Sequence, residues 1–126
     1  MIQITPHMRI FLYSGSVDFR KGIDGLVGVC RQLLEKDPFS GSMFVFRNKR
    51  RTTLKILMYD GQGFWLFIKR LSRGRFKWWP GGQSKYERDA HSPLTLSLRS
   101  AELQLLLWNG DVDSAAIGPD WKKVGV

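Results

Sequence analysis

The chain has 126 residues, 43% of them hydrophobic and 25% charged, with a net charge of +9 and a single cysteine. That length suits one domain with one real core, and the composition excludes a chain that is disordered throughout. Cys30 alone cannot close an internal disulfide, and apolar runs such as Gly63 to Ile68 and Leu103 to Trp108 fall well short of the roughly 18 residues that span a bilayer, so no membrane segment is expected and a reducing cytoplasm fits best. The N-terminus lacks a basic region ahead of its apolar stretch, so no signal peptide is expected.

In chain order, "MRIFLYSG" sets Ile10 and Leu12 on one face and Phe11 and Tyr13 on the other, with Gly15 closing a short strand. A helix follows. Asp18 is placed to cap it, and Phe19, Ile23, Leu26, Val27, Cys30, Leu33 and Leu34 fall on one stripe that ends before Pro38. Gly22, Gly25 and Gly28 recur along this helix, at a cost of about 1 kcal/mol each relative to alanine. Close approach of the helix backbone to a sheet would offset that cost; a glycine-lined ligand contact is the alternative. The glycines lie inside the periodic segment and not ahead of it, so the likeness to a phosphate-binding loop is superficial. Cys30 reads as core.

From Met43 the period changes to two. "MFVFR", "TLKILMYD" and "GFWLFIKRL" read as three strands and "GRFKWW" as a shorter fourth, joined by "RNKRRT", "DGQG" and "SRG" into an antiparallel meander. Leu54, Ile56 and Met58, with Phe64, Leu66 and Ile68, make a floor for the glycine-bearing helix. Leu57, Tyr59, Trp65 and Phe67 then form a second apolar face, covered by a C-terminal helix or left to bind a partner.

"PGGQSKYERDAHSP" has no periodicity and reads as a mobile connection. "LTLS" adds an edge strand, and "SAELQLLLWNG" a short helix stopped by Asn109 and Gly110; the tail is loosely packed, with Trp121 available to dock. The expected fold is α+β. An antiparallel meander of about four strands has the N-terminal strand and glycine-bearing helix on one face and a short C-terminal helix. Residues 1–80 form the core with its basic meander; residues 81–126 supply the flexible connection, helix and tail of the same domain.

The charge is segregated. Between Met43 and Pro80 stand ten basic residues, Arg47, Lys49, Arg50, Arg51, Lys55, Lys69, Arg70, Arg73, Arg75 and Lys77, against one acid, Asp60; the rest of the chain is balanced. A field so confined acts on a polyanion, with nucleic acid foremost, and all ten residues are candidate phosphate contacts. Successive hairpin turns alternate ends, so the loop around Arg50 and the one around Arg73 should share an end of the sheet. Such contacts position a protein without reading sequence, and neither helix carries the basic face that base readout needs. Two other readings stand beside this one: a protein-interaction module using Tyr59, Trp65 and Phe67, and a single-stranded nucleic-acid (RNA) binder stacking bases on Trp65 or Trp78.

No enzyme is expected. A carboxylate-type nuclease needs several placed acids, yet the basic segment has only Asp60, and Asp18 and Asp24 share no helix face well. His7, His91 and Cys30 cannot build a usual zinc site or support a Cys-His pair, so neither metal nor cofactor is expected.

"DFRKGIDGL" together with "MFVFRNKRRTTLKILMYDGQGFWLFIKRLSRGRFKWWP" resembles the small accessory protein, often called TnpB, encoded by the second open reading frame of the insertion sequence sixty-six family of bacterial transposable elements. The resemblance spans roughly residues 6 to 80. This chain departs in having Phe19 where methionine is common and two tryptophans before Pro80 where one is usual. The resemblance implies a role in DNA transposition beside a separately encoded transposase, with DNA, that transposase and other proteins of the element as partners; it supplies no catalytic residue.

Overall fold

The computed structural model describes residues 8–80 and 95–108. His7, His91, the connection after Pro80, the helix stop at Asn109 and Gly110, and the tail with Trp121 lie outside the described residues. The elements are β1 (Ile10–Ser16), α1 (Ile23–Gln32), β2 (Met43–Arg47), β3 (Thr53–Tyr59), β4 (Phe64–Arg70), β5 (Thr95–Leu98) and α2 (Ser100–Leu107). They build a five-stranded mixed sheet in the order β4-β3-β2-β1-β5, with apolar clusters on both faces. No helix among the described residues is long and apolar enough to cross a membrane.

The N-terminal strand is not laid on a face. β1 sits inside the sheet, parallel to β2 across the α1 crossover and antiparallel to β5. Alternation in "MRIFLYSG" announced a strand but not its neighbours. β2 is buried at all five positions, as expected of a strand covered on both sides.

β2, β3 and β4 form an antiparallel meander of three strands. "GRFKWW" is not a fourth. Its alternation comes from a chain crossing one face of the sheet: Phe76, Trp78 and Trp79 are buried, while Arg75 and Lys77 between them are exposed. These aromatics pack with Ile10, Leu12, Met43, Val45, Leu54 and Ile56, and with Leu103 and Leu106 of α2. On the other face Leu26, Val29 and Cys30 of α1 pack on Phe44, Phe46 and Leu57.

The expected assignment of faces is corrected by one residue of register. Tyr59 pairs with Phe64 and Leu54 with Lys69. Leu54, Ile56 and Met58 therefore share a face with Trp65 and Phe67, toward α2, and Leu57 and Tyr59 share the α1 face with Phe64 and Leu66. A four-residue turn, Asp60 to Gly63, pairs even-numbered positions with odd ones, and a one-residue slip exchanges the faces of a strand.

Asp18 does not cap α1. Gly22 holds the cap position without a side-chain bond, and Asp18 instead accepts the Arg20 backbone N–H at 3.0 Å and its guanidinium at 2.7 Å. Those bonds hold its carboxyl down at about 2. The helix ends at Gln32 with Leu33 as its C-cap, and beyond it Glu35 turns left-handed (φ 52) while Lys36 N–H bonds Cys30 O at 3.0 Å.

The helix glycines do not approach the sheet. A Cβ on Gly28 would meet nothing within 4 Å, whereas one on Gly25 would meet the Lys21 Cβ at 2.4 Å. Gly28→Ala is therefore expected to raise stability by about 1 kcal/mol, read as a higher urea midpoint at unchanged slope. Gly25→Ala should gain less or lose, because Lys21 must move.

Candidate nucleic-acid interface

The end of the sheet where β2 finishes and β3 begins gathers most of the predicted cations. "RNKRRT" folds there around Asn48. Asn48 Oδ1 accepts the backbone N–H groups of Thr52 (2.9 Å) and Thr53 (3.2 Å), its Nδ2 donates to Thr52 Oγ1 at 2.8 Å, and its carbonyl accepts Arg51 N–H at 3.2 Å. This tight turn sets Arg51 in the left-handed region at φ 59, uncommon for a side chain of its size. Asparagine's habit of bonding its own backbone is the signal that could have marked Asn48 from the sequence.

The segment after β4 is stitched to that loop. Leu71 N–H donates to Thr52 O at 2.9 Å and Phe76 N–H to Arg51 O at 2.7 Å, with Gly74 in the left-handed conformation between them. Together the two segments enclose a shallow cleft of about 550 Å³ lined by Lys49, Arg50, Arg51, Arg75, Phe76 and Lys77, with Gly74 at its turn. Arg70 ends the strand that leads into it, and Arg73 precedes Gly74. Among the described residues Lys49, Arg50, Arg70, Arg73 and Arg75 make no ion pair; the two found are Arg20 with Asp18 and Arg99 with Glu102.

Three of the ten predicted cations are turned inward. Arg47 is 7% exposed, donates to the carbonyls of Asn48 and Ser14, and lies 5.8 Å from the centre of the Trp79 ring. Lys55, 8% exposed, points to the α1 side, where its Nζ bonds Phe19 O at 3.2 Å and sits 4.6 Å from the Phe19 ring. Lys69 bonds Leu107 O at the end of α2, where a cation opposes the negative pole of the helix. Lys21 was missed as a neighbour of the basic end: Val17 N–H bonds Arg47 O at 2.9 Å, so the turn into α1 arises at this same end, and Lys21 is exposed there.

Asp60 is far from the cluster, at the opposite end of β3 and β4. Its carboxylate accepts the N–H groups of Gln62 (2.8 Å) and Gly63 (2.9 Å) and the Trp65 indole at 2.6 Å, which together hold its pKa below the usual range. Cys30 is buried, and burial pushes its thiol up to about 12, so it is a poor nucleophile. No group of three or more His, Cys, Asp or Glu able to hold a metal occurs among the described residues.

The aromatic partner face divides. Tyr59 packs with Phe39 and Phe64 on the α1 side, whereas Trp65 stacks on Phe67 at 5.9 Å on the α2 side. Trp78 is buried and offers no stacking surface; Trp65 is exposed but stands beside Asp60, away from the cations.

A family model described as IS66 Orf2 like protein matches residues 8–114. Two proteins of Sinorhizobium fredii, both described as uncharacterized, are similar: y4hO is 38% identical over 78 residues, 62% of this chain and 68% of that one, and y4jC is 41% identical over 76 residues, 60% and 65% respectively. No solved structure matches this chain.

Proposed function

The chain belongs to the IS66 Orf2-like family, whose place is that of an accessory protein in transposition, and from that premise we propose that it binds DNA phosphates through the basic end of its sheet and so assists a separate transposase. The observation that carries this reading is the convergence of two loops into one cleft, with Lys49, Arg50, Arg70, Arg73 and Arg75 making no ion pair among the described residues. Phosphate oxygens would replace water around these guanidinium and ammonium groups, and the counterions they displace supply the driving force. The aromatics of the same segment lie beneath the charges and hold them in place. Base readout has little to work with, so the binding is of low sequence preference, and its use is to bring the protein and its transposase to DNA.

The test is a salt titration. With about five phosphates neutralised, log affinity for a duplex should fall against log salt with a slope of roughly −4 to −5, measured by fluorescence anisotropy. A slope near zero, or no duplex binding at low salt, would remove the reading.

A further inference from the structure

The sheet has two outer strands. β5 is four residues long; β4 is seven, runs without a register break against β3, and pairs with no other strand among the described residues. Which backbone groups of β4 face outward follows from its inner side. Leu71 N–H donates to Thr52 O and Asp60 N–H to Gly63 O, so the pairs 52/71 and 60/63 are the hydrogen-bonded kind, and that kind recurs at every second pair. Trp65, Phe67 and Lys69 thus bond β3. Phe64, Leu66, Ile68 and Arg70 direct their N–H and C=O groups away from the molecule.

Unpaired edges are ordinarily shielded by shortness, by a bulge, by proline or by outward lysines. β4 has none of these along its middle: it contains no proline, and Lys69 is tied to the end of α2. It shows instead Trp65 at 52% and Ile68 at 59% exposure. Its two ends carry opposite charge, Asp60 in the turn before it and Arg70 at its close, with the cationic cleft beyond. A second β4 running antiparallel brings the acid of each copy toward the basic end of the other. A parallel one sets like against like.

We propose that the outer edge of β4 binds a second copy of this chain, antiparallel, with Leu66 of each copy paired to Ile68 of the other and Phe64 to Arg70. In that register all four outward residues of each strand are paired, and Phe67 faces its own counterpart at a non-hydrogen-bonded position, Cα atoms about 4.5 Å apart. The two five-stranded sheets become one. The proposal needs no nucleic acid and is tested without it.

Sedimentation of nucleic-acid-free full chain over a concentration series should show a monomer–dimer equilibrium. Ile68→Pro removes an outward donor without touching the β3 ladder, and Ile68→Lys adds a charge to the exposed position; either variant, checked for folding by its thermal transition, should weaken the dimer by about a hundredfold or more. Phe67→Cys should form a disulfide-linked dimer on mild oxidation, whereas Lys49→Cys, at the far end of the sheet, should not. A chain that stays monomeric throughout the series overturns the proposal, as does a dimer that survives Ile68→Lys or one that the Phe67→Cys variant fails to cross-link.

Discussion

Replacing Arg50, Arg73 and Arg75 together with glutamate is expected to weaken duplex binding by at least about a hundredfold at low salt and to flatten the salt dependence by roughly three units of slope. Each of the three is exposed, and each lies on or beside the cleft where the two basic segments are stitched together. Each substitution removes a counterion-releasing contact and leaves a carboxylate repelling the same phosphate. The control is a second triple. Arg9, Arg31 and Lys36 are exposed at the other end of the molecule, where β2 begins and α1 finishes, and their reversal changes the net charge by the same amount. If a long-range field of the whole protein drew DNA in, the two triples would lose alike. If the cleft is the contact, the second should lose far less once the two are compared near about 0.15 M salt, because there a charge more than about 8 Å from a phosphate is largely screened. Equal losses would show that the contact is not at the cleft. Arg31 and Lys36 lie against the rings of Phe39 and Phe11, so the thermal transition of that control is measured too.

The arrangement behind this result was partly legible in the sequence. Segregation of ten cations between Met43 and Pro80 is a statement about sequence alone, and hairpin alternation was enough to predict that the loops around Arg50 and Arg73 meet. What composition could not say is which cations reach water. Arg47, Lys55 and Lys69 hold their charged heads over the rings of Trp79, Phe19 and Trp108, and those heads donate to the carbonyls of Ser14, Phe19 and Leu107, each far away in sequence. Such partners exist only after folding. The same limit explains β1, whose alternation is equally compatible with an outer strand and with its actual place between β2 and β5. α1 was readable because Ile23, Leu26, Val27 and Cys30 keep one stripe, although Val29 beside them is buried and Leu33 is exposed; its start was not, since Asp18 turns to Arg20 within its own tripeptide and leaves Gly22 at the cap. The α1 and α2 faces were exchanged on β3 by register alone, while β4 kept the expected ones, and register depends on how the Asp60 to Gly63 turn closes.

The largest loss of stability is expected at Trp79. Its side chain is fully buried against Ile10 and Leu12, its indole N–H donates to Tyr13 O at 3.0 Å, and the Arg47 guanidinium lies over its ring. Trp79→Ala removes the largest buried side chain of the α2-side core and should cost about 3–5 kcal/mol, a large fraction of the roughly 5–15 kcal/mol that holds a small domain folded. Trp79→Phe keeps a six-membered ring but loses the N–H donor to Tyr13 O and the rest of the indole, so about 1–3 kcal/mol is expected. Urea unfolding measures both. Arg75→Ala, four residues earlier on the same segment but exposed, should stay within about 0.5 kcal/mol of the parent. The contrast tests why aromatic rings and cations alternate from Arg73 to Trp79: the rings anchor a chain that crosses the sheet without a ladder to hold it, and the cations ride on that anchor. Under conditions where Trp79→Phe remains folded, its salt slope for duplex binding should match the parent, since no charge has moved. A Trp79→Ala loss below about 1 kcal/mol would mean that the segment is not packed on the sheet, and the cleft would then lack the floor that positions Arg75 and Lys77.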